Sequence, residues 1–271
     1  MSLVNRRDII LHFASVLKQY NVKATDGELG KVKDLYMDDE NWIVRYLIVD
    51  TLKWLPGKKV LVSPLGMDNI NELNRQVEIK ETKEKIKDSP KVNEIEPVSK
   101  KHERMISDYF DWPYYWADQG LWGSFQTPRG LINAYDSGQI KNPLDRELEK
   151  ESHLRSMNEI QGEFTGYKIQ AIDGEIGRVS DLVIDGDSWF VRYILVETST
   201  ILPGRLVLIP PESIQSVDWY TKTVSVHLTN DQIKNAPPYE PGMPFTRDYE
   251  EHLYRSYGKE AYWKERQSTH Y

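Results

Sequence analysis

The stretch "WIVRYLIVDTLKWLPGKKVLVSP" at 42–64 decides the fold, because it returns as "WFVRYILVETSTILPGRLVLIPP" at 189–211. Trp42 matches Trp189 at an offset of 189 − 42 = 147. The same offset joins Asp26-Gly27-Glu28 to Asp173-Gly174-Glu175, Leu55-Pro56-Gly57 to Leu202-Pro203-Gly204, and Tyr115-Trp116 to Tyr262-Trp263. Roughly thirty identities fall in about a hundred aligned positions, and a period of this length means a duplicated domain rather than a solenoid. Along the quoted strand Trp42, Val44, Tyr46 and Ile48 share one face, and Ile43, Arg45, Leu47 and Val49 the other. Both faces are largely apolar. A strand covered on both sides fits a barrel whose outside is packed on another element.

The rest of each copy also reads as mostly β. "TDGELG" and "IDGEIG" place Asp-Gly between short extended runs, the signature of a tight hairpin. Leu-Pro-Gly makes a turn, since Pro presets φ and Gly takes the positive-φ position. "TKEKIKDSP" and "TNDQIKNAP" predict one or two helical turns, N-capped by Thr82 and Thr229 and stopped by Pro90 and Pro237. Each copy continues into a short helix with an aromatic tail, "KHERMISDYFDWPYYW" and "DYEEHLYRSYGKEAYW". The expected organisation is mainly β: two small barrels in tandem, repeat 1 over 1–116 and repeat 2 over 151–271. A Gly-, Asn-, Asp- and Pro-rich linker without clear period, partly ordered by its aromatics, lies between them, at 117–150.

Composition narrows the function. The 271 residues carry 35 basic and 42 acidic side chains, a formal charge of −7 without a basic block, so nucleic acid is not an expected partner. There is no cysteine, which removes disulfides and thiolate chemistry and fits a cytoplasmic location. No stretch approaches the ~20 apolar residues of a membrane-spanning helix.

The DGExG turn, the V-x-D-L strand, the W-x-V-R-Y strand, the L-P-G turn and the strand ending in Pro together resemble the PRC-barrel family, in both copies. The helical segment and tail after each barrel are similar to the C-terminal extensions of tandem bacterial members. The resemblance implies a small β-barrel that contacts other macromolecules. It does so in the cytoplasmic part of the photosynthetic reaction-centre H subunit and in the C-terminal half of a ribosome-maturation factor. This chain lacks the membrane helix of the first and the N-terminal domain of the second, so "interaction barrel" is the role that transfers.

Among individual residues, Arg45 and Arg192 stand out in apolar strands. Each presents a guanidinium to an anionic ligand or, as an unpaired buried charge would be costly, pairs inside its own barrel with Asp34 or Asp181. "DGDS" at 185–188 begins like a calcium loop, but Phe190 and Val196 stand where that loop needs Gly and Glu, so these acids read as solvated turn residues. No histidine pair, G-x-S-x-G or phosphate loop is present, so no catalytic, metal or cofactor residue is assigned and no cofactor is expected. The tails supply a candidate interaction surface: Trp112, Tyr114, Tyr115, Trp116, Tyr262 and Trp263. They either anchor a partner or fold back over a barrel to complete a small core. The expected function is a non-enzymatic protein–protein interaction or assembly module with a protein partner. The alternative is a small-ligand sensor or enzyme with its site in a cleft between the barrels. Peripheral membrane association and homo-oligomerisation stay open.

Overall fold

The computed structural model describes residues 10–51, 59–90, 98–143, 153–162, 166–198 and 204–263. The chain divides into two compact units. The first is Met1–Met157 with Ile184–Val191, the second Asn158–Val183 with Arg192–Tyr271.

Repeat 1 contributes β1 (Leu11–Phe13), α1 (Ala14–Leu17), β2 (Asn21–Ala24), β3 (Gly27–Asp38), β4 (Ile43–Asp50), β5 (Lys59–Val62), β6 (Met67–Asn71), β7 (Gln76–Ile79), α2 (Lys83–Asp88) and α3 (Lys100–Phe110). Beyond it lie β8 (Leu121–Ser124), α4 (Pro128–Asp136), β9 (Leu154–Ser156) and α5 (Met157–Ile160). Repeat 2 contributes β10 (Lys168–Ala171), β11 (Gly174–Asp185), β12 (Val191–Glu197), β13 (Leu206–Ile209), β14 (Ile214–Asp218), β15 (Thr223–Val226), α6 (Asn230–Asn235) and α7 (Arg247–Ser256).

Two seven-stranded sheets share one topology. The first runs β5-β4-β3-β2-β7-β6 with β9 added on β3; the second runs β13-β12-β11-β10-β15-β14 with β1 added on β11. In both, one neighbouring pair is parallel, β2 with β7 and β10 with β15, and the hairpins are antiparallel. β4 is buried along nearly its whole length, as its two apolar faces require.

Repeated sequence details have repeated causes. The Asp of each Asp-Gly turn ties its hairpin to a helix: Asp26 accepts the Lys83 N–H at 2.8 Å, and Asp173 accepts the Asn230 N–H at 2.7 Å. The second glycine of DGExG exists for close approach. A Cβ on Gly30 would stand 2.1 Å from the Asp50 carbonyl oxygen, and one on Gly177 2.0 Å from that of Glu197. Thr82 and Thr229 cap α2 and α6 as expected, the latter as a full capping box. The Leu-Pro-Gly turns lie outside the described residues, apart from Gly204.

The expected linker is more structured than its composition suggested. Thr127 caps α4, accepting the Gly130 N–H, with Pro128 in its first turn. In β8, Trp122 is fully buried. Both elements belong to the first unit, as does β9, which pairs Leu154, Arg155 and Ser156 with Asp38, Met37 and Tyr36.

Candidate functional site

Each unit holds a buried polar cluster built from three places in its own repeat. In the first unit β4 supplies Arg45 and Tyr46, the first turn of α3 supplies Lys100 and Glu103, and the tail supplies Tyr115 and Trp116. Ser99 caps α3, and Lys100 and Glu103, one turn apart, pair at 2.7 Å. Glu103 is completely buried. Its Oε2 accepts the Tyr46 hydroxyl at 3.3 Å and a very short hydrogen bond from the Tyr115 hydroxyl. Burial and the Glu103 charge push both phenols well above their ordinary range.

Arg45 lies over the Tyr115 ring at 3.8 Å and the Trp122 ring at 4.8 Å. It donates to the Leu121 carbonyl at 2.5 Å and meets Asp38 at 3.3 Å. The partner expected from sequence, Asp34, is a correction. In the β3–β4 register Asp34 sits opposite Ile48, three residues or roughly 10 Å along the strand from Arg45. The ladder shifts between Tyr36 and Met37, and Asp38 at the end of β3 takes the guanidinium instead. Asp34 accepts the Leu35 N–H and the Ser156 hydroxyl of β9.

The second unit repeats the cluster at the same offset. Tyr193 donates to Glu250 at 2.5 Å, Arg247 Nη1 reaches Glu250 at 3.0 Å and the Tyr262 hydroxyl at 3.0 Å, and Arg192 lies over the Tyr262 ring at 4.4 Å. Arg247 also covers Trp263 at 4.3 Å. Asp181 accepts the Leu182 N–H. Burial raises the Glu250 carboxyl above its ordinary value against the opposing pull of Tyr193, Arg247 and Arg192, and raises the Tyr193 hydroxyl well above its own.

Most of the tail aromatics are buried. Trp112, Tyr114, Tyr115 and Tyr262 are buried, while Trp116 and Trp263 are half-buried. Trp112 stacks on Phe110 at 4.5 Å and presses on Gly66, where a Cβ would come within 2.4 Å of the indole. These contacts of the tail aromatics lie within their own units. Asp185, expected as a solvated turn acid, is buried and accepts the N–H groups of Asp187 and Ser188.

A cleft of about 840 Å³ opens beside the first cluster, lined by Asp38, Arg45, Lys100, Tyr115, Trp116 and His153 among others. Its cations already serve Asp38 and Glu103, and His153 meets Asp39 and Glu40. Among the described residues no group of three His, Asp or Glu side chains could hold a metal ion. Elsewhere in this unit His12 on β1 is buried with Nδ1 3.5 Å from Glu72, and burial lowers its pKa against the pull of Glu72 and Asp185.

Among the described residues, near-complete exposure of a large apolar side chain occurs at one repeated place. Leu73, in the turn between β6 and β7, is 97 % exposed, and Tyr220, its counterpart between β14 and β15, is 96 % exposed. The turns match in detail. Asn71 accepts the Asn74 N–H and Asp218 those of Tyr220 and Thr221, while Arg75 and Lys222 take positive φ at 49° and 54°.

Sequence reasoning missed Glu103 and Glu250, Lys100 and Arg247, and both turn tips. The glutamates did carry a signal, an identity at the repeat offset inside an otherwise divergent helix. Comparison with known proteins finds a PRC-barrel domain at residues 11–86, from β1 into α2. No curated protein matches the chain. Among the described residues no helix is long and apolar enough to cross a membrane.

Proposed function

We propose that the chain is a tandem pair of PRC-type barrels, non-enzymatic, whose work is to bind a protein partner as an interaction or assembly module. The second barrel is inferred from its repeated strand order and its roughly thirty identities with the first, since the family match covers 11–86.

The observation that carries the reading is the matched exposure of Leu73 and Tyr220. The turn needs an Asx residue at its start and a residue tolerant of positive φ near its end. Nothing in that geometry needs a large apolar side chain at the tip, and water favours a polar one. Two copies on one chain suit bivalent capture, in which the second contact forms at high effective concentration. The polar clusters support the non-enzymatic side of the reading, because their acids and phenols already hold one another and burial disfavours the phenolate.

The test is retention of a protein from native extract by the immobilised full chain and by a Leu73→Asp/Tyr220→Asp double variant. The expected outcome is a partner held by the wild type and lost by the variant, with both keeping the same circular dichroism. Equal retention by both would remove the tips from the function. A small molecule copurifying in place of a protein would favour the alternative of a ligand sensor, for which the 840 Å³ cleft is the specific supporting feature.

A further inference from the structure

The turn of the second repeat, Ile184–Val191, belongs to the first compact unit. There it meets its own counterpart. The Val191 N–H donates to the Trp42 carbonyl at 2.7 Å, and the Val44 N–H donates to the Trp189 carbonyl at 2.9 Å. Between these bonds Ile43 and Phe190 form an antiparallel bridge. Adding 147 turns 42 into 189, 43 into 190 and 44 into 191, so exchanging the repeats maps the bridge onto itself.

Such self-complementarity is the isologous relation by which two copies of one surface close a dimer. The backbone supports a dedicated role. Trp42 and Trp189 both take positive φ, 56° and 61°, a region unfavourable for bulky side chains that is kept in both copies. Further contacts in the same unit secure the visiting turn: the Trp122 indole N–H donates to the Ser188 carbonyl at 2.7 Å, and the Gly186 N–H donates to the Ile10 carbonyl at 2.9 Å.

We infer that the 42–44 segment is a homotypic pairing surface whose partner is the 189–191 segment of the same kind of barrel, and that a second copy of this chain can supply it by exchange. In the intact chain the partner is tethered at an effective concentration on the order of millimolar, so exchange between copies is suppressed at ordinary concentrations. Cutting the chain between the repeats removes the tether. The inference goes beyond the partner-binding reading and does not depend on Leu73 or Tyr220.

The experiment starts from the folded full chain carrying a protease site between Pro143 and His153, in two differently tagged versions that are cleaved and then mixed. The expected result is that the N-terminal fragment of one version captures the C-terminal fragment of the other, with light scattering giving the mass of one chain, 31.7 kDa. Fragments that separate as independently folded species would overturn the inference. Phe190→Asp tests the bridge itself and is expected to weaken capture at least tenfold while the uncut variant keeps its circular dichroism. Should uncut Phe190→Asp unfold, Phe190→Ala takes its place and is expected to weaken capture severalfold. Wild-type capture by a folded Phe190 variant would assign the association to β9 and sink the proposal.

Discussion

The two buried clusters use the same plan with different cations. In the first unit Lys100 binds Glu103 and points its ammonium at the rings of Tyr115 and Trp116, at 5.0 and 4.8 Å. In the second, Arg247 holds Glu250 and the Tyr262 hydroxyl with one nitrogen and covers Trp263 with its plane. A lysine acts as a point charge, whereas a guanidinium can stack and donate together. The first unit adds Trp122 over Arg45, from a segment with no equivalent among the described residues of the second. The first cluster therefore leans on an added element, and the second on the geometry of its arginine.

The glutamates break this comparison most severely. Glu103→Ala strands two phenols and a half-buried lysine, and should cost about 3–5 kcal/mol by urea unfolding, in the range for breaking a buried ion pair. Glu250→Ala should cost less, because Arg247 is 38 % exposed and can turn to solvent. Equal losses would show that side-chain exposure is not what separates the copies. Arg45→Met should cost about 2–4 kcal/mol in the same measurement, since Asp38 and the Trp122 ring lose their cation and the Tyr115 ring keeps only Lys100. A melting curve unchanged by this substitution would deny the arginine its role as an internal tie.

Exchanging the cations sharpens the contrast on a smaller scale. Arg247→Lys should lose about 1 kcal/mol, because an ammonium can keep the two donations, as Lys100 does, but has no plane to stack on the Trp263 ring. Lys100→Arg should lose less than that.

One group in each unit should give stability a pH dependence, and the two run in opposite directions. Glu250 has a raised folded pKa, so its contribution is fully present below the ordinary carboxyl value of 4.5 and is lost as pH rises towards the folded value. His12 has a lowered folded pKa, so its contribution is fully present above 6.5 and is lost as pH falls below that. Each slope is bounded by about 1.4 kcal/mol per pH unit. Stability measured against pH in Glu250→Gln and in His12→Gln should lose the first slope and the second respectively. The smallest effect belongs to Leu73→Asp/Tyr220→Asp, within about 0.5 kcal/mol of wild type for sites so exposed.

The mainly β character and the duplication were legible because they rest on period-two patterning and on identities at one fixed offset, whereas the strand order, with its parallel β2–β7 pair, comes from the structure alone. Arg45 was recognisable as an internal tie, yet its partner was not. Asp34 and Asp38 recur equally in the repeats, and a shift in ladder register, which leaves no mark in residue type, chooses between them. Glu103 and Glu250 were hidden for a different reason. A charged residue in the first turn of a helix usually reads as a solvated dipole partner, and burial depends on the tail that later folds over it. The 117–143 segment reads as a linker because Gly and Asn mask its buried apolar anchors, Trp122, Leu131 and Ile132 among them. The tips carry no mark in the sequence because one exposed leucine is ordinary, and the repetition of its exposure emerges only in three dimensions.

The first unit is assembled from 1–157 and 184–191, and this fixes a schedule for its synthesis. A chain leaving the ribosome has all of repeat 1 and β9 in hand at residue 157, but the end of the turn that bonds to Trp42 and Val44 is 191 − 157 = 34 residues away. At typical translation speeds that is a wait of roughly 2–7 s, far longer than the time in which a hairpin forms. During it, the amide of Val44 and the carbonyl of Trp42 have only water, or another nascent chain, to bond.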